Sequence, residues 1–334
     1  MSTGSPLATA PVVAEVVRND VIESIHHGVV ALTAADGSPE LAVGPVDAPV
    51  LPRSSLKPLQ ALAMLRAGAD LDGPLLALTC ASHSGEPAHL EGSRQILAAA
   101  GLDEGALQNT PDLPIDDGER DRWVREGLPP SSLAQNCSGK HAGMLLTCVA
   151  AGWDTTTYRD PDHPLQRLTV EVIEELCGEP VTATTVDGCG APALAVSSAG
   201  LARAYGRLAA APGDTLEGRV AGAMRGYPEM VGGTGRDNTV LMRGVPGLIA
   251  KDGAEAVYAV GLADGRGLVV KITDGQQRAR VVVATAALRL AGVTDLGDGV
   301  ARTLDGLDAE EVVRGHGAPV GRVRAVDLAA LAEG

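Results

Sequence analysis

Runs of β-branched residues at the two ends of the chain constrain its fold more than any other feature of the sequence. From Val12 to Val46 the pattern VVAEVVRNDVIESIHHGVVALTAADGSPELAVGPV is broken by Asn19-Asp20 and Asp36-Gly37, both turn signals, and it predicts two or three antiparallel strands. The stretch from Gly244 to Gly275, GVPGLIAKDGAEAVYAVGLADGRGLVVKITDG, repeats this style, and Asp264-Gly265 predicts a hairpin within it. In between, apolar residues recur at intervals of three and four over 55–67, 139–151, 163–177 and 214–225, each bounded by Gly, Pro or Asp, which predicts a mostly helical middle. A last helix, QQRARVVVATAALRLAG, follows the strands and is expected to pack on them. The expected fold class is therefore α+β, an antiparallel sheet built from both chain ends with helices packed on it and a helical insertion. With no internal repeat and no low-complexity linker, residues 1–334 are expected to form one domain. Its sheet lobe would span about 1–50 and 240–334, and its mainly helical lobe about 51–239.

A chain of 334 residues can bury most of its apolar surface, but phenylalanine is absent and only two tryptophans and four tyrosines occur, so aliphatic side chains must fill the core. The same scarcity of aromatics, with a net charge of -15, argues against nucleic acid as a partner, since neither base stacking nor phosphate tracking is provided for. No stretch offers about 18 consecutive apolar residues, and the first twenty lack a basic region followed by an apolar run. No membrane partner and a cytoplasmic location are expected. The five cysteines, Cys80, Cys137, Cys148, Cys177 and Cys189, are odd in number and follow no small-domain disulfide spacing, so reduced thiols or metal ligands are expected.

The segment LPRSSLKPLQALAML, residues 51–65, carries the chemistry most open to interpretation. Proline is tolerated only in the first turn of a helix, so Pro58 implies a helix starting at about Ser54 or Ser55. Ser54 would then stand at the positive helix end with Lys57 one turn on and Arg53 beside it, a Ser-x-x-Lys arrangement suited to acyl transfer. Alone, the pattern is a weak signal that more often describes a serine-capped helix of no special function. Three further polar clusters accompany it: TCASHSGEP (79–87), AQNCSGKHAGMLLTCVAAG (134–152) with Cys137, Lys140 and His141, and TTVDGCGAPALA (184–195) with Asp187 and Cys189. Two thiolates and an imidazole, from Cys137, Cys189 and His141, would suit zinc; small buried hydrophobes are the competing interpretation of both cysteines. His83, His89 and the pair His26-His27 show no ligand spacing and are expected to be structural or surface residues.

Taken in order, RSSLKPLQ, CASHSGE, NCSGKHAGML, DGCGAP, GGTGRDNTVLM and KDGAEAVYAVGL resemble the L-asparaginase II family of the thermolabile rhizobial type, over about Val12 to Leu288. The resemblance implies a fold like that of serine β-lactamases and glutaminases, a homodimer, two Ser-Lys pairs and a zinc ion close to the active site. By motif, it places one pair on Ser54 and Lys57, preceded by Arg53, and the second serine on Ser82 in preference to Ser84. Lys251 in AKDGAEAVY matches the second catalytic lysine, and Asp187 a substrate-binding carboxylate. The implied zinc ligands are Cys137, Lys140 and Cys189. A bound lysine amine must lose its proton, so holding the substrate carboxylate is an alternative role for Lys140, and His141 is a fourth ligand or a helix cap. The implied reaction is hydrolysis of the L-asparagine side-chain amide, with glutaminase the nearest alternative and a non-enzymatic zinc or amino-acid binding protein the more distant one. A β-lactamase would carry a Lys-Thr-Gly strand, where this chain reads Lys251-Asp252-Gly253.

Overall fold

The structure is a computed structural model that describes residues 5–333. The N-terminal strands are β1 (Val12–Arg18), β2 (Val21–Thr33), β3 (Pro39–Val43) and the short β4 (Pro49–Val50). The middle of the chain supplies α1 (Lys57–Arg66), α2 (Gly73–Thr79), α3 (Pro87–Ala99), α4 (Asp117–Arg125), α5 (Ser138–Ala151) and α6 (Pro164–Cys177). The hairpin β5 (Ala183–Val186) and β6 (Pro192–Ser197) follows, then α7 (Ser198–Ala210), α8 (Leu216–Gly226), α9 (Pro228–Val231) and α10 (Asp237–Gly244). Strands β7 (Ile249–Gly253), β8 (Val257–Gly261) and β9 (Gly267–Ile272) lead to α11 (Gln277–Leu290) and α12 (Asp298–Glu310), and β10 (Val312–Gly315), β11 (Ala318–Ala325) and α13 (Leu328–Ala332) close the chain.

The main sheet runs β10-β11-β1-β2-β9-β8-β7, with β3 also on β2, so strands from the two chain ends interleave as the sequence pattern requires. All its pairs are antiparallel. The thirteen-residue β2 makes this possible: its first half pairs with β1, while Val30–Thr33 sit between β3 and β9. The expected turns fall where the short polar residues are. Asn19 adopts a left-handed φ of 50° between β1 and β2, and Gly265 a φ of 93° between β8 and β9.

Two features add to the expected pattern. The helical middle contains the β5–β6 hairpin, which pairs with β4 as a separate three-stranded sheet, because the β-branched Thr184, Thr185 and Val186 precede a tight Gly-flanked turn. The last 40 residues, which lie within the expected sheet lobe, complete the sheet: β11 pairs with β1 from Ala14↔Ala325 to Arg18↔Gly321.

Helix α7 lies directly on the sheet because glycines remove the side chains between them. A Cβ on Gly267 would stand 1.8 Å from the Ala202 carbonyl oxygen, and one on Gly261 would stand 2.2 Å from that of Tyr205. Both obstacles are backbone, which cannot turn aside. Gly267→Val is expected to destabilise the protein by about 3 kcal/mol or more, the upper range for an overpacked core. Urea denaturation measures it, and a loss below about 1 kcal/mol would show that α7 can move off the sheet at little cost.

Candidate active site

The backbone enters the site through Arg53, which holds a left-handed φ of 55°, uncommon for a residue with a Cβ. A 3-10 turn over Arg53–Leu56 precedes α1, which starts at Lys57 with Pro58 in its first turn. The proline register therefore holds, but the α-helix starts two to three residues later than expected. Ser54 caps nothing, since neither the turn nor α1 has a side-chain cap. The amine of Lys57 does not bond Ser54: it donates to the Ala81 carbonyl at 2.5 Å and to Ser82 Oγ at 3.0 Å. Ser54 lines the same cavity as Ser82.

Ser82 lies in the loop after α2, which is pinned by its own backbone. Ser82 N donates to the Val231 carbonyl, His83 N to that of Asn136 and Ser84 N to that of Gly232. The hydroxyl of Ser84 also donates to Gly232, at 3.0 Å, which separates its role from that of Ser82. Lys251 projects from β7 and donates to Ser82 Oγ at 2.9 Å, to the Asp252 carbonyl at 2.7 Å and to Asp252 Oδ1 at 2.5 Å. One serine oxygen is thus held by two buried lysine amines, residues 25 and 169 positions away in the chain. Burial pushes the Lys251 amine down to about 8, against the pull of Asp252 and with help from the Lys57 charge. The Asp252 carboxyl is held far below the usual range by the Lys251, Arg236 and Arg280 charges, in spite of its burial. Beside Ser82 opens a cavity of about 440 Å³ lined by residues that include Ser54, Asn136, Arg236, Asp252 and Arg280.

A second cluster joins the start of α5 to the β5–β6 turn. Cys137, Cys189 and Ala191 pack as a small buried group, and Lys140 Nζ donates to Cys189 Sγ at 3.2 Å. A hydrogen bond from the Cys189 thiol, with the charges of Lys57 and Lys140, holds the Cys137 thiol well below its ordinary value, and Cys189 is raised in turn. Asp187, in the same turn, is bound by Arg53 through Nε at 2.7 Å and Nη2 at 2.5 Å. His141 neither caps α5 nor meets the thiols: its Nδ1 bonds the Tyr158 hydroxyl at 2.7 Å, and its buried Nε2 has no partner. Among the described residues, no three His, Cys, Asp or Glu side chains gather as a metal-binding set, and all five cysteines are free thiols.

The sequence profile of L-asparaginase II matches residues 14–325. The chain belongs to the L-asparaginase II family. The match continues through β11, beyond the Leu288 limit inferred from the motifs. No curated protein sequence matches the chain. Among solved structures, it is similar to a β-lactamase from Mycobacterium bovis, at 14% identity and a TM-score of 0.44, over 85% of this chain and 94% of that one. It is also similar to Mglu in its native form, at 16% identity and a TM-score of 0.45, over 79% of this chain and 64% of that one. A third is a mutant of simvastatin synthase LovD from Aspergillus terreus, at 12% identity and a TM-score of 0.37, over 74% and 86% of the two chains.

As a member of the L-asparaginase II family, the protein is a hydrolase acting on amides. Its cavity contains charged and polar residues to which the motif reading gave no role. Arg236 and Arg280 both approach Asp252, at 2.9 and 3.9 Å, and Arg280 also binds Asp237 at 2.6 Å. Asn136 borders the cavity with its amide oxygen already accepting from Gln135 at 3.2 Å, which leaves the amide nitrogen as its available donor. The signal for Asn136 and Arg236 was present, inside AQNCSGK and GGTGRDN, but polar residues in Gly-rich loops are common on ordinary surfaces. No helix is long and apolar enough to cross a membrane among the described residues.

Proposed function

We propose that the protein is an L-asparaginase that hydrolyses the side-chain amide of L-asparagine through a serine-lysine acyl-enzyme. The observation that carries this reading is Ser82 Oγ, within hydrogen-bond reach of both Lys57 and Lys251 at the wall of a cavity. A lysine amine freed of its proton accepts the Ser82 proton as Oγ bonds to the amide carbonyl carbon. Lys251 suits this part, because its burial favours the neutral amine. Lys57, anchored on the Ala81 carbonyl, holds the serine oxygen in place. The tetrahedral oxyanion collapses, the carbon-nitrogen bond breaks, and the ammonium of Lys251 returns the proton to the departing nitrogen as ammonia. Water then attacks the ester, Lys251 takes its proton and returns it to Ser82, and aspartate leaves. Asn136 offers an amide donor for the oxyanion.

Ser54 is the competing nucleophile, favoured by its place on the same cavity wall. For substrate grip, Asp187 suits the α-ammonium and Arg53 or Lys140 the α-carboxylate, with His141 a further substrate-binding candidate. Arg53 is already committed to Asp187, so the two would act together.

Cys137, Cys189 and Lys140 fit a zinc ion as a donor set: two thiols and an amine gathered in one buried place, with Lys140 already on Cys189. When bound, the ion would keep both thiols ionised and tie the β5–β6 turn to α5. A homodimer and a cytoplasmic location complete the proposal; they follow from the family resemblance and from the composition respectively.

The test is ammonia release by purified protein from asparagine and from glutamine, before and after metal removal verified by mass spectrometry. Release from asparagine is expected, with zinc present in the purified protein. Silence on both amides overturns the hydrolytic reading, and faster release from glutamine moves the substrate by one methylene. Unchanged activity after metal loss would confine zinc to stability.

A further inference from the structure

Behind Lys251 lies a row of buried and half-buried charges with no part in the mechanism above. Asp252 offers Oδ1 to Lys251 at 2.5 Å and Oδ2 to Arg236 at 2.9 Å, with Arg280 standing 3.9 Å from the same outer oxygen. One carboxylate therefore serves three cations. Arg280 is itself occupied by Asp237 at 2.6 Å and lies over the Tyr258 ring, 5.3 Å from its centre. Arg236 also borders the cavity, but it differs in coming from a loop that is fastened to the serine loop. Thr234 N donates to Glu86 Oε1 at 2.7 Å, and a Cβ on Gly233 would stand 2.1 Å from Ser84 Oγ.

This arrangement bears on a requirement of the reaction. A carboxylate 2.5 Å from a buried amine favours the ammonium, and an ammonium cannot take the proton of Ser82. We propose that Arg236 is a positioning residue: by binding the outer oxygen of Asp252 it draws that carboxylate's charge away from Lys251, so that Lys251 can act as a neutral amine. The inference rests on the assignment of Lys251 as the base in the proposed asparaginase reaction.

The groups that face Lys251 divide clearly. Asp252, on its own strand, favours the ammonium. Lys57 from α1 and Arg236 from the loop before α10 oppose it. Arg280 from α11 acts through Asp252, backed by Asp237. The Cys80 thiol at the end of α2, pushed up to about 12 by burial, and the Tyr258 phenol on β8, raised by burial, stay neutral. Arg236 is the cation in this set that is neither a proposed catalytic lysine nor embedded in the core.

The test compares wild type, Arg236→Gln and Arg236→Lys by kcat/KM for ammonia release from asparagine as a function of pH, with Lys251 titrated in parallel by NMR of ¹⁵N-lysine-labelled protein. In Arg236→Gln the acid limb and the Lys251 titration are both expected to move up by about one pH unit, a single-charge effect. Below the limb that is a loss of about tenfold, and at high pH the two profiles converge. Arg236→Lys, which keeps the charge, is expected to stay close to wild type. A limb that does not move, or a loss that is equal at every pH with a raised KM, overturns the proposal and makes Arg236 a substrate ligand. If the wild type releases no ammonia the functional reading fails instead, and an unmoved Lys251 titration in Arg236→Gln still decides against this inference.

Discussion

Ser82→Ala is expected to lower kcat for asparagine hydrolysis by about 10⁴-fold or more, the scale on which nucleophile removal acts when binding and oxyanion donors remain. The expectation depends on where the two lysines point. Lys57 Nζ and Lys251 Nζ both end on Ser82 Oγ, so this hydroxyl has a proton acceptor at hand as soon as one amine is neutral. The fold should survive the change, because each amine keeps another partner, the Ala81 carbonyl for Lys57 and Asp252 for Lys251. Ser54→Ala is expected to cost much less, about tenfold to a hundredfold, since no lysine hydrogen bond is lost. Mass spectrometry of the enzyme quenched during turnover locates the acyl group: a label on the peptide containing Ser82 is expected. A label on the Ser54 peptide that persists in Ser82→Ala would reverse the two roles.

Legibility differed sharply between the sheet and the site. Strands β1, β2, β8 and β9 announced themselves because their turns are local: Asn19-Asp20 and Asp264-Gly265 each reverse the chain within a few residues of the strands they join. Strands β10 and β11 were missed because their pairing is settled elsewhere; β11 finds β1 some 300 positions away, and VVRGHGAPVGRVRA offers no apolar alternation to announce it. The same contrast governs the site. Spacing links Ser54 with Lys57, because three residues make a helical turn, yet Lys57 is buried and its amine goes to the carbonyl and hydroxyl that the end of α2 presents. Proximity in sequence described a possible pair, and the direction of burial selected another. For Arg236 and Asp252 no local rule exists, since what distinguishes them from surface charges is the buried amine on the neighbouring strand position.

Lys251→Met carries the second large effect and separates activity from stability. Loss of the proposed base is expected to lower kcat by about 10³-fold, within the range for general-base removal. Stability is expected to respond in the opposite sense, because burial depresses this amine from its ordinary 10.5 to about 8. Below pH 8 folded and unfolded chains both carry the proton, and the full cost of the buried ammonium stands. Between about 8 and 10.5 the unfolded chain binds the proton more readily than the folded one, so the wild type gains stability as pH rises, up to about 3 kcal/mol in total from this residue. Methionine has no such group, and Asp252 keeps Arg236 and Arg280 as partners. Urea denaturation at pH 7.5 and 9.5 is therefore expected to show a rise for the wild type that is absent or smaller in Lys251→Met. Equal pH responses in the two proteins would mean that Lys251 titrates normally, and the base would then have to be sought in Lys57. A lysine that weakens the fold while it is charged, and serves as the proposed base when it is not, would be held for chemistry in preference to structure.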